Sequence, residues 1–203
     1  MDAFLWLISE SSVKYQDLSS FSVPKGFRGR NAVWVQLWWI VQSTLFSWSP
    51  QIFYPFRIWL LRLFGARVGR GVRIRPSARV TYPWKLAIGD HVWIGDDSVI
   101  YNLADVTIGS HVAIAHRVYL CTGFHDITRL SFDIGARPIV IEDEVWLPND
   151  VYVGPGVRIG TGTVVAARSS VFDDLPGGVV AAGTPARVIR DRIPAPIAAG
   201  SQQ

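Results

Sequence analysis

The chain has 203 residues, 49% of them hydrophobic and 18% charged, which excludes a disordered polypeptide and suits one cored domain with an extension. Its single cysteine, Cys121, excludes an intrachain disulfide and fits a reducing compartment. The net charge of +4 is uneven: residues 1–75 hold ten Lys+Arg against three Asp+Glu, and residues 76–203 hold ten against thirteen.

In chain order, the opening MDAFLWLISESS carries a short apolar stretch between Asp2 and Glu10. It has no basic n-region and no small-residue cleavage site, so no secretory signal is expected and a cytoplasmic location is. Residues 31–64 contain five Trp and no charge before Arg57. The pattern predicts two helices, about 31–48 and 52–64, hinged at Pro50 and Pro55. Gln36, Gln42, Ser43, Thr44 and Ser47 dilute the first, which argues against a membrane span. These helices either cap one end of the following domain or pack between subunits, or they rest on the inner face of the membrane. In the last case Trp, Phe and Leu enter the headgroup layer while Arg28, Arg30, Arg57 and Arg62 meet anionic lipid. The apolar content of this basic half favours a peripheral membrane partner over nucleic acid.

From Val68 onward a branched aliphatic recurs every six residues: Val68, Ile74, Val80, Leu86. The series slips by two and resumes at Ile88, slips again and resumes at Ile108, then returns after an interruption as Ile141, Leu147, Val153, Ile159, Val165 and Val171. A β-sandwich recurs every ~8–12 residues with alternation of period two, so a sustained period of six points elsewhere. Three short strands make one triangular coil, and stacked coils bury a core that one repeat cannot. The expected fold is a mainly β parallel β-helix over 66–182, preceded by a helical extension over 1–65 and followed by a segment over 183–203. The slips at Leu86-Ala-Ile88 and Val106-Thr-Ile108 mark coils lengthened at one corner. Gly often follows the aliphatic, and a turn with positive φ is the expected reason.

Residues 121–138, CTGFHDITRLSFDIGARP, break the period. A loop leaving a rigid solenoid is where function tends to be placed, and this one holds Gly123-Phe-His125 followed by Asp126. A neutral imidazole suits the removal of a proton from a hydroxyl. Asp126 either orients that ring or caps the turn. Asn102 and Asp105 fall one coil before the loop, where they face an acceptor or satisfy their own corner. Cys121 reads as a small packed thiol.

FSVPKGFRGRNA, IRPSARVTYPWKL, YLCTGFHD, PIVIEDEVWL and GTPARVIR together make the chain resemble the hexapeptide-repeat acyltransferases, and within them the colanic-acid-type O-acetyltransferases of exopolysaccharide biosynthesis. The resemblance implies a left-handed β-helix, a homotrimer, and acetyl-CoA held between subunits. It further implies His125 as catalytic base, and direct transfer to a sugar hydroxyl with no metal. The implied acceptor is a saccharide, in lipid-linked form. Trp146 falls where the family places a Trp beside the pantetheine arm, and Arg187 and Arg190 match its terminal CoA-bordering segment. Two positions depart from the family pattern. Asp173 stands where a Lys is usual, leaving Arg168, Arg187 and Arg190 to supply positive charge, and Ile141-Glu142 replaces Ile-Gly.

Two other functions fit the same fold. His111 and His116, with His91 twenty residues before His111, allow a zinc site of the carbonic-anhydrase kind, although their phase against Ile108 and Ile114 differs from that pattern. A non-catalytic scaffold is the other.

Overall fold

The computed structural model describes residues 13–193. The opening twelve residues and the last ten of the terminal segment lie outside that range. The period of six becomes a parallel β-solenoid of about six turns. Its first coil is β1 (Arg67–Val68), β2 (Arg73–Ile74) and β3 (Arg79–Val80), and the second is β4 (Leu86–Ile88), β5 (Trp93–Ile94) and β6 (Val99–Tyr101). The third is β7 (Val106–Ile108), β8 (Ala113–Ile114) and β9 (Tyr119–Cys121). A hairpin of β10 (Gly123–His125) and β11 (Ile134–Ala136) follows. The fourth coil is β12 (Ile139–Ile141), β13 (Trp146–Leu147) and β14 (Tyr152–Val153), and the fifth is β15 (Arg158–Ile159), β16 (Val164–Val165) and β17 (Ser170–Val171). β18 (Val179–Gly183) and the antiparallel β19 (Ala186–Asp191) end the second face.

Each solenoid strand of the five coils is two or three residues long, and its residues alternate between pointing out and pointing in, as the two-residue period of a strand requires. In-register pairing then aligns the inward residues into rows. Val68, Ile88, Ile108, Ile141 and Ile159 line the first face. Ile74, Ile94, Ile114 and Leu147 line the second, and Val80, Ile100 pair likewise on the third, as do Leu120, Val153 and Val171. All but Val68 are buried, so the aliphatic period is the core itself.

The extra residues all leave one corner, between the third face and the first: 81–85, 102–105 and the hairpin segment 122–138. The first two lengthened corners are each clamped by a buried polar side chain from the next corner along the chain. Asn102 accepts from the Tyr82 N–H at 2.9 Å and donates to the Tyr82 carbonyl at 2.7 Å. Thr122 accepts from Ala104 N–H and donates to the Tyr101 carbonyl, both at 3.0 Å.

The glycines have a different reason from the expected one. Gly69, Gly89, Gly109 and Gly160 are not left-handed; a Cβ on Gly89 or Gly109 would come within 2.7 Å of the backbone of the next coil. Left-handed backbone falls two residues on, at Gly71, His91 (φ 57°), His111 (φ 59°), Glu144 (φ 60°) and Gly162. The corner thus needs a residue without Cβ where coils touch and a left-handed one beyond it. Glu142, in the glycine row, is not left-handed either. Its carboxylate turns outward, accepts from the Thr161 N–H and hydroxyl at 2.8 Å, and pairs with Arg158.

Two helices close the first coil. Asn31 caps α1 (Ala32–Val41) by accepting from Trp34 N–H at 2.9 Å, and the helix widens into a π turn over Gln42–Phe46. α2 (Tyr54–Leu63) has Pro55 in its first turn, where the missing N–H costs nothing. An open solenoid end exposes strand edges whose polar groups need partners. The cap supplies them on all three faces. Arg62 donates to Val68 carbonyl on the first, and Arg57 to Ile74 carbonyl at 2.7 Å on the second. On the third, Trp38 donates to Val80 carbonyl at 2.8 Å and Gln42 accepts from Val80 N–H at 2.6 Å. Arg57 is fully buried and also donates to Ser49, Pro50 and Gln51. It therefore holds the cap together and does not meet lipid, contrary to the expectation for this residue.

Candidate active site

The broken repeat forms a two-stranded antiparallel hairpin standing off the lengthened corner, with Gly123 paired to Ala136, Phe124 to Gly135 and His125 to Ile134. Gly135 is where a Cβ would lie within 2.5 Å of the Phe124 ring, so its absence lets that ring fold across the hairpin. Arg137 covers the ring, its guanidinium carbon 4.9 Å from the centroid. The stem is thereby stiffened beneath His125.

His125 is exposed at the end of β10. Its Nδ1 lies 2.8 Å from the Phe132 carbonyl oxygen. A carbonyl only accepts, so Nδ1 carries the hydrogen, and Nε2 keeps its lone pair in the neutral ring. The imidazole also stacks on the Phe132 ring, with centroids 4.2 Å apart and planes 8° from parallel. Phe132 itself is left-handed at φ 50°, a strained choice for a bulky residue, and it aims its carbonyl back at the histidine. Phe21 approaches from the segment before the helices, its ring 5.9 Å from the imidazole, and Asp17 N–H donates to the loop carbonyl of Leu130. Phe132 belongs to no motif, and Phe21, the first residue of FSVPKGFRGRNA, gives no sign in the sequence that it meets His125. Only the folded loop brings them to the histidine.

Asp126 is the turn cap of its two readings. One of its oxygens accepts from both Thr128 N–H, at 2.9 Å, and the Thr128 hydroxyl, at 2.6 Å. These Thr128 bonds hold its carboxyl below the usual range, with a smaller contribution from Arg129. Asn102 is fully buried and bonded to Tyr82, so its side chain presents nothing to an acceptor. Asp105 is exposed and borders a recess with Lys85, Phe27, Leu103 and the hairpin base at Ala136 and Pro138. Burial lowers the Lys85 pKa, opposed by the charge of Asp105. Cys121 is half-buried beside Gly123, to whose carbonyl its thiol points at 3.4 Å.

The residues expected at the CoA lie on the second face. Register carries Trp146 to Val164, Val164 to Val180 and Val180 to Arg190, one row across four neighbouring strands. At ~4.8 Å per strand that row runs roughly 14 Å. Trp146 is 49% exposed and overlooks a groove with Trp93, Ala113, His116 and Tyr54. Arg187 is on the same strand as Arg190 and donates to Asp173 at 2.9 Å. Arg168 sits at the adjoining corner with φ 61°, 3.8 Å from Asp150. The hairpin, by contrast, leaves the corner between the third and first faces. A single chain therefore does not bring His125 and Trp146 onto one face.

Among the described residues no group of three or more His, Cys, Asp and Glu is placed to hold a metal ion. His91 and His111 stack, rings 5.2 Å apart, as successive left-handed corner residues. His116 Nδ1 is engaged separately, accepting from Asp96 N–H at 3.0 Å.

No protein-family model matches the chain. It is 60% identical over 178 residues, covering 88% of this chain and 98% of the relative, to the "Putative colanic acid biosynthesis acetyltransferase WcaF" of Escherichia coli K12. A hexapeptide-repeat acetyltransferase from Vibrio cholerae, solved with acetyl coenzyme A, superposes with a TM-score of 0.74 at 29% identity, over 82% of this chain and 92% of that one. A galactoside acetyltransferase solved with coenzyme A gives a TM-score of 0.74 at 28% identity, over 84% of both chains. Repeat, solenoid and near full-length identity converge: the chain belongs to the hexapeptide-repeat acetyltransferases, in the family of the colanic acid biosynthesis acetyltransferases.

Proposed function

We propose that the chain transfers acetyl from acetyl-CoA directly to a saccharide hydroxyl in the biosynthesis of a colanic-acid-type exopolysaccharide. The observation that carries this reading is the 2.8 Å contact of His125 Nδ1 with the Phe132 carbonyl, on an exposed residue: it leaves Nε2 of the neutral ring with its lone pair. Nε2 takes the acceptor O–H proton as that oxygen attacks the thioester carbonyl. A tetrahedral oxyanion forms and collapses, the C–S bond breaks, and the proton passes to the departing thiolate to give free CoA. A positioned base of this kind contributes roughly 10²–10⁴-fold, with alignment of the two substrates supplying much of the rest.

Trp146 flanks the pantetheine arm in this reading, and Arg190, at the far end of its row, meets the phosphates, joined by Arg187 and Arg168. His125 leaves the corner opposite the face that carries that row, which supports a complete site between neighbouring subunits of a homotrimer in this reading. Asp105 and the Lys85 recess at the hairpin base border the acceptor, a saccharide presented on a lipid carrier.

The test is release of the CoA thiol from acetyl-CoA, followed with a thiol reagent, in the presence and absence of exopolysaccharide repeat-unit oligosaccharide. Saccharide-dependent release, with an O-acetyl ester recovered in the product, is expected. Acetyl recovered on an amine, or thiol release indifferent to saccharide, contradicts the reading.

A further inference from the structure

The helical cap is apolar on both sides. Val35 and Trp38 of α1 and Ile58, Leu60 and Leu61 of α2 are buried against the solenoid. The opposite side carries Leu37, Ile40, Leu45, Trp48, Phe53 and Trp59, all exposed, with Trp48 at 86%. Part of this side is continuous: Leu45, Trp48, Phe53 and Phe56 line one groove, and Phe56 stacks on Trp59 at 6.1 Å. Among the described residues no helix is long and apolar enough to cross a membrane.

What fits this side is indicated by the charge around it. No Asp or Glu occurs from Leu18 to Gly89, whereas that segment holds eleven Lys and Arg. Three of them form a collar directly behind the cap. The outward residue of β1, β2 and β3 is Arg67, Arg73 and Arg79, one on each face, and all are exposed. Their partners one coil further on are Ala87, Trp93 and Val99, so only the coil that touches the cap is ringed with arginine among the first two. Arg70 adds a fourth guanidinium at the first corner, 88% exposed while 3.4 Å from the Asp90 carboxylate.

We propose that the protein docks end-on to an anionic lipid bilayer. The indoles and aliphatic side chains of the cap enter the headgroup layer, and the arginine collar meets lipid phosphates around them. The solenoid axis then stands away from the surface. A second copy of the chain would have to bury like-charged collars together, which anionic lipid does not.

Flotation of the full chain with vesicles tests this. Vesicles of phosphatidylglycerol and phosphatidylcholine should carry the protein, and pure phosphatidylcholine or high salt should weaken binding at least tenfold. Arg67→Gln/Arg70→Gln/Arg79→Gln should lower affinity for the anionic vesicles about a hundredfold. Trp48→Ser/Trp59→Ser should abolish flotation while leaving circular dichroism and sedimentation mass unchanged. Failure of the wild type to float, flotation unaffected by either variant, or a fall in assembly mass with Trp48→Ser/Trp59→Ser each overturns the proposal. The last outcome would assign the patch to a second copy.

Discussion

His125 and Phe132 are joined twice, by a 2.8 Å bond from Nδ1 to the carbonyl and by ring stacking at 4.2 Å. The bond sets the tautomer and the stack sets the ring plane, so orientation of the base depends on a residue seven positions away. Phe132→Gly keeps the carbonyl and tolerates positive φ, losing only the stack. Phe132→Val loses the stack and resists φ 50° as well. Steady-state kinetics should show kcat reduced by roughly tenfold or less for glycine and more for valine, with the Kd for CoA unchanged in both. Equal kcat for the two variants would deny the carbonyl its part.

The Asp173–Arg187 pair makes a prediction about the donor. Both side chains are largely exposed, so the pair itself contributes at most ~1 kcal/mol of stability. Asp173→Ala frees the guanidinium and removes a carboxylate from the end of the row proposed to meet the CoA phosphates. Calorimetric titration should show CoA binding tightened by about two- to fivefold, and more for Asp173→Lys. Weaker binding in Asp173→Ala would place the phosphates elsewhere.

Gly109→Ala tests the account of the glycine row. Its Cβ would meet the backbone nitrogen of Asp143 at 2.7 Å, and backbone does not give way as a flexible side chain does. Overpacking of this kind costs ~1–3 kcal/mol, or roughly 2–12 °C in Tm for a chain of this size. Thermal unfolding within a degree of wild type would show that the coils slide apart freely.

Acid stability should depend on the outward carboxylates between coils. Glu142 is held below its ordinary 4.5 first by the Thr161 hydroxyl and then by the Thr161 N–H, and Asp150 below 3.8 chiefly by the Arg117 guanidinium. A depressed carboxylate adds stability that is present above the unfolded-state pKa and lost as pH falls through the folded one. Denaturant midpoints should therefore drop as pH falls from about 5 to 3, and Glu142→Gln should flatten that drop. An unchanged slope in Glu142→Gln would show that the Thr161 contacts do not distinguish the charged form.

Much of the fold is legible because one constraint writes it repeatedly: every strand pair must put an aliphatic inward. The same economy concealed the role of the glycines, since a Cβ-free position and a left-handed position sit two residues apart at each corner. Arg57 carried a faint signal, a lone cation in an apolar stretch, but whether it faces lipid or backbone carbonyls depends on where the helix lands. Asn102 was ambiguous for the same reason: corner polarity is equally suited to a neighbouring coil and to solvent. Within the site, His125 was marked by the broken repeat. Phe132 was not, because its contact arises from the path of the loop and from no local pattern.

His125 Nε2 is the proposed base for acetyl transfer, and His125→Ala tests that role most directly. With saccharide and acetyl-CoA saturating, kcat should fall roughly 10²–10⁴-fold while the Kd for acetyl-CoA, measured by calorimetry on the same preparation, stays within about twofold. A His125→Ala protein that binds acetyl-CoA normally and turns over within tenfold of wild type would contradict it.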